Sequence, residues 1–271
     1  LTEVNSLNPL KLPECTYALF YIIGNYLISV DKKRRILLHV LLYMKDKILN
    51  NKELLEAWDW ESGRPTGISI TRGESYRTGT PHEGVHLWIA RNAGADVELL
   101  FQHRAKNKAL YPDCLDITVG GHVTFGQDEE NAGKIRKEAM EEIGISVNEP
   151  ELADIGFCRF EDKTDDYHHR EFQHVYLLAD QRPLDSYIFN DGEVIGLYAV
   201  PSLFLESLLK KDSSMTVEGF DGRTIIRRSL SRKDFHPMIF DKRMKLYMSV
   251  VIRGARELVR TGKVTVTMSQ I

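Results

Sequence analysis

Residues 120–145 read GGHVTFGQDEENAGKIRKEAMEEIGI, and no other stretch constrains the fold as strongly. A glycine pair opens it. Apolar residues then recur at helical spacing from Ala132 to Ile143, and Gly144 follows, a residue suited to the position just past a helix end. At about 100° per residue, Glu138, Glu141 and Glu142 fall within about 100° of one another on that helix. Three carboxylates on one face repel one another unless a cation lies among them. Mg2+ or Mn2+ would fill that role, because hard cations take oxygen ligands. A solvated acidic face also produces ExxEE, so the surroundings of the helix must decide between the two readings.

Those surroundings alternate strands with helices. Val85 to Ala90 and Val97 to Gln102 read as strands joined by a turn at Asn92-Ala93-Gly94. Ile155 to Phe160 and Phe172 to Leu178 read as strands around a polar loop, Glu161 to His169. Val194 to Val200 leads through Pro201 into an apolar helix, Ser202 to Leu209. A last helix from about Asp241 to Arg260 carries an apolar stripe of Met244, Tyr247, Met248, Val251, Ile252, Ala255, Leu258 and Val259. Residues 1–57 read as a mostly helical N-terminal extension, 58–205 as the catalytic domain, and 206–271 as a C-terminal extension packing on its core. The pattern implies a layered α/β domain.

Composition narrows the class. A net charge of -3 offers no basic excess for a nucleic-acid polymer. Cys15, Cys114 and Cys158 lie far apart without zinc-ligand spacing, which suits a reducing cytoplasm. Thr16 to Val30 is apolar but falls short of the roughly 20 residues a membrane span needs, and Gly24-Asn25 interrupts it. It reads as a buried helix or strand rather than an anchor.

Glu129, seven residues, then Lys137-Glu138-Ala139-Met140-Glu141-Glu142-Ile143-Gly144-Ile145 resembles the second part of the Nudix box. The chain departs from that pattern twice. Gly121 lies two residues further from Glu129 than the box allows, although Gln127 would take the first glutamate's place in an alternative register. Lys137 also replaces the box arginine, supplying charge without its bidentate fork. His86-Leu-Trp-Ile, Leu99 to Lys108, Tyr111-Pro112, Asp116 and Gly120-Gly121-His122-Val123 are similar to the branch that contains isopentenyl-diphosphate isomerase. The resemblance implies the Nudix α/β/α sandwich with a mixed sheet, here with N-terminal and C-terminal helical extensions.

It also implies a site. Glu138, Glu141 and Glu142, with the main-chain carbonyl of Gly121, would hold Mg2+ or Mn2+. Arg104 and Lys108 match a basic pair that grips a substrate diphosphate. Glu142, Glu141 and Glu193 are candidate catalytic groups, with Glu171 a further candidate base. Aligned on the isomerase strands, His86, His122, His169 and Glu171 would form a second metal position, for which imidazole nitrogen favours zinc, manganese or iron. The alternative is that these histidines are hydrogen-bonded core and loop residues. Isomerisation itself needs a catalytic cysteine where this chain has Gly120, and Cys114 is out of register. The expected activity is therefore metal-dependent hydrolysis of a small-molecule diphosphate, such as a nucleoside diphosphate derivative. An isomerase-like enzyme and a non-catalytic ligand sensor are the alternatives, and a homodimer is allowed.

Overall fold

In the computed structural model, the described residues are 48–126, 131–165 and 167–268. Glu129, Gln127, the Thr16 to Val30 segment and most of the N-terminal extension lie outside them.

The chain enters through an antiparallel hairpin, β1 (Leu54–Asp59) and β2 (Arg64–Thr71). A short helix, α1 (Arg72–Thr78), follows, capped by the Thr71 side chain. Two long strands come next, β3 (His82–Ala93) and β4 (Asp96–Arg104), joined by the expected tight turn. β5 (Leu115–Asp116) pairs with β4, and β6 (Val119–His122) pairs with β3. The glutamate helix is α2 (Asn131–Ile143). After it run β7 (Leu152–Lys163), β8 (His168–Ala179) and β9 (Val194–Pro201), then α3 (Ser202–Lys210). β10 (Met215–Phe220), β11 (Ile225–Leu230) and α4 (Lys242–Thr261) complete the described elements.

The main sheet has the order β11-β10-β9-β4-β3-β8-β7. β3 and β8 run parallel and the other pairs antiparallel, so the sheet is mixed. Strand alternation sends Val85, Leu87 and Ile89 to one face, where they pack with Ile135, Ala139 and Ile143 of α2. Trp88 and Ala90 face the other way, against Phe204, Leu205 and Leu208 of α3 and the buried stripe of α4. Helices cover both faces, giving the α/β/α sandwich.

Three expectations need correction. Residues 54–57 are strand, not helix: only Leu55 and Ala57 turn inward, a period of two too short to stand out beside the charged residues preceding them. Glu161 to His169 is not a loop. β7 and β8 run on as a hairpin with Asp162 opposite His169 and Lys163 opposite His168, and Glu161 binds both His168 and Arg170 across it. The C-terminal extension carries its long helix as expected, but it also adds β10 and β11 to the sheet edge. Exposed positions on these strands mix apolar residues, Met215 and Ile225, with polar ones, Glu218 and Arg227, which blurs the strand signal.

Candidate active site

Every residue singled out for chemistry lines one cavity of about 490 Å³. The sheet explains the convergence. β6 brings Gly121 and His122 beside β3, β4 ends at Arg104, and α2 leans its glutamates toward them. Gly121 is glycine for lack of room: a Cβ there would lie 2.7 Å from the Glu138 carboxyl carbon.

Glu142 is buried, Glu138 is partly buried and Glu141 is exposed. Each of Glu142, Asp191 and Glu193 offers a carboxylate oxygen within 4.8 Å of the others. Burial drives the Glu142 carboxyl well above the usual carboxylate range; Lys108 opposes that rise, and Glu138, Asp191 and Glu193 reinforce it. Glu142 is buried while Asp191 and Glu193 are exposed, and three carboxylates this close together favour a cation among them. Sequence reasoning named Glu193 but passed over Asp191. The signal was the pair of carboxylates two residues apart in the turn before β9.

The basic pair is already engaged. Lys108 is ion-paired with Glu193. Arg104 donates Nε to Tyr111 O at 2.9 Å, Nη2 to Leu110 O at 2.9 Å and Nη1 to Asp116 at 3.2 Å. Its guanidinium thus braces the 105–111 loop that carries Lys108.

The second metal set is brought together with one substitution. His82, His122, His169 and Glu171 each present a ligand atom within 4.8 Å of the rest. His86 does not join them. The parallel register sets His82 opposite Glu171, whereas His86 falls opposite Val175. His86 Nδ1 instead hydrogen-bonds the Tyr247 hydroxyl at 2.9 Å, which also accepts from Trp88 Nε1 at 2.8 Å. His82 was missed because it precedes the apolar run that marked the strand, yet period two places His82, Gly84 and His86 on one face. Gly84 leaves room for the Glu171 carboxylate, since a Cβ there would meet it at 2.2 Å.

The chemistry of this group fits a metal. Both ring nitrogens of His82 and the Nε2 of His169 are buried without a hydrogen-bond partner. Burial lowers His82 to about 3 and holds His122 and His169 well below the usual imidazole range, which favours the neutral form that a metal ligand requires. Burial likewise raises Glu171 to about 7. Nitrogen donors with one carboxylate suit zinc, manganese or iron.

No protein-family model matches the chain. It is 29% identical over 209 residues to a Nudix hydrolase of Clostridium acetobutylicum, an alignment taking in 75% of this chain and 97% of that protein. It is 30% identical over 156 residues to Nudix hydrolase 3 of Arabidopsis thaliana, covering 56% of this chain but 20% of the longer plant protein. A Pseudomonas aeruginosa Nudix hydrolase is 35% identical over 102 residues, 38% of this chain and 56% of that one. Among solved structures, a Deinococcus radiodurans protein is similar at 22% identity and a TM-score of 0.44, over 58% of this chain and 90% of that chain. The curated relatives, taken with the glutamate helix, support the Nudix hydrolase superfamily, a class of enzymes. Among the described residues no helix is long and apolar enough to cross a membrane.

Proposed function

We propose that the protein is a metal-dependent hydrolase that cleaves a diphosphate linkage in a small molecule. One observation carries this reading. Among the described residues, the cavity is lined by nine carboxylates (Glu53, Asp116, Glu138, Glu141, Glu142, Asp162, Glu171, Asp191 and Glu193) and by three Arg or Lys cations (Arg72, Arg104 and Lys108). Each of those cations already has a carboxylate partner. A polyanion entering alone would meet net repulsion, so it must bring divalent cations or find them in place.

Bound by Glu138, Glu141, Glu142 and the Gly121 carbonyl, Mg2+ or Mn2+ would supply Lewis-acid polarisation of the phosphoryl oxygens and a water of lowered pKa. The protein's own groups do the rest. Water attacks phosphorus, the P–O bond to the leaving phosphate breaks, and the water proton passes to a carboxylate. Glu142 and Glu193, both lining the cavity, are the candidate acceptors. Lys108 exchanges Glu193 for a phosphate oxygen, on a loop that Arg104 holds in place.

We also read the group formed by His82, His122, His169 and Glu171 as a second metal position, with His82 in the place that the resemblance to the isomerase gave to His86. It does not make the protein an isomerase. At Gly120, where a thiol would be needed, a Cβ would lie 2.6 Å from Ile117. Cys114 is buried with its Sγ bonded to Tyr111 O, and burial raises its thiol far above the ordinary range.

A panel of nucleoside diphosphate derivatives, nucleotide sugars and isoprenoid diphosphates, followed by phosphate release with and without Mg2+, tests the reading. Metal-dependent turnover that Glu142→Gln abolishes is the expected result. A Glu142→Gln protein that turns over a cleaved substrate at the parental rate would sink it.

A further inference from the structure

The glutamate helix also carries a charged group that the hydrolytic reading leaves unused. Lys134 lies one turn before Glu138, is 7% exposed, and has its Nζ 2.7 Å from Glu138 Oε1. An ammonium removed from water keeps its charge only when it is paired. Glu138 is the partner it has among the described residues. Glu138 is in turn pressed against the backbone at Gly121, so its carboxyl is held between the ammonium and the β6 strand.

Two consequences of opposite sign follow. The ion pair fixes the orientation of Glu138 before any ligand arrives. It also occupies an oxygen that a divalent cation would use, and it adds a positive charge beside that cation. We propose that Lys134 is a positioning residue that holds Glu138 against Gly121 and keeps the affinity of the carboxylate helix for a free divalent cation low. The species the site takes up well is then the metal–diphosphate complex, whose phosphate oxygens complete a coordination shell that the protein leaves short. The inference rests on reading α2 as a metal centre, and it adds a determinant of affinity to that reading.

Calorimetric titration of the metal-free protein with Mg2+ alone tests it without any turnover. Mg2+ is the right probe because nitrogen donors bind it poorly, which leaves the histidine group silent. Lys134→Met keeps an unbranched side chain one atom shorter and removes the charge, and it should tighten Mg2+ binding by about tenfold, the effect expected of one close like charge. Lys134→Arg keeps the charge and should bind Mg2+ as the parent does. Lys134→Gln is a second neutral variant for use if the methionine protein does not fold, as judged by circular dichroism. A folded neutral variant with parental or weaker Mg2+ affinity overturns the proposal, as does tightening by Lys134→Arg equal to that of the neutral variants. A parent that binds no Mg2+ either alone or with inorganic pyrophosphate overturns the metal reading of α2, and this inference with it.

Discussion

Replacing Glu142 by glutamine should make the metal-free protein more stable while removing its catalysis. Glu142 is 4% exposed, and burial is the first cause of its raised pKa. An acid whose folded pKa lies above its unfolded value contributes stability at pH below the unfolded pKa and loses it as pH rises through the folded pKa. Above the ordinary carboxylate range the parent must therefore either ionise Glu142 beside Glu138, Asp191 and Glu193, with Lys108 the opposing cation, or keep it protonated against the solution pH, and both cost stability. Glutamine removes that repulsion without changing the volume. Its amide can also donate to Gln102, whose Oε1 is buried without a partner and whose Nε2 lies 3.4 Å from Glu142. A gain of about 1 kcal/mol is the usual size for relieving one such defect. In a chain of this length that is a rise of about 2–4 °C in Tm. Thermal unfolding in EDTA at pH 8 and at pH 4.5 reads it: the gain should be present at pH 8 and small at pH 4.5, where both proteins are neutral at this position. Added Mg2+ should reverse the order by stabilising the parent and not the variant, and Mg2+-dependent hydrolysis should fall by roughly two to four decades. A glutamine variant less stable than the parent at pH 8 in EDTA, or a gain independent of pH, would refute the reasoning.

Elemental analysis of protein purified without chelator or histidine tag should find a stoichiometric transition metal that is lost in His82→Ala and His122→Ala but retained in His86→Ala; equal loss in all three would remove the assignment of His82. Arg104→Ala should lower stability by about 1–3 kcal/mol, because it strips charged donors from Leu110 O, Tyr111 O and Asp116, and it should raise KM as the Lys108 loop loosens. An unchanged Tm with a raised KM would instead mark Arg104 as a direct phosphate ligand. Glu171, raised to about 7 by burial, gives the metal-free protein a stability term that is fully present below about pH 4.5 and lost as pH rises through about 7. Unfolding curves of the chelated protein should therefore show less loss between pH 6 and pH 8 in Glu171→Gln than in the parent.

The chemistry of α2 was readable from residues alone. Helical periodicity depends only on local backbone geometry, so the spacing of Glu138, Glu141 and Glu142 specified one face before any neighbour was known. The same holds for the stripe of α4 and for the central strands, whose buried residues include apolar runs such as Leu87 to Ala90 and Val175 to Leu178. Edge elements were harder. β1, β10 and β11 bury few side chains, so their alternation is too faint to separate from a charged helix or a loop. What only the tertiary structure decided is pairing between distant segments. Whether His82 or His86 meets Glu171 depends on the parallel register of β3 against β8, and both histidines satisfy the period of the strand. Asp191 joins Glu142, and Lys108 joins Glu193, because the turn before β9 folds over the end of α2. Lys134 reads in sequence as one more cation on an amphipathic helix. Its burial against Glu138 arises from the close approach of α2 to Gly121, a contact that no local pattern encodes.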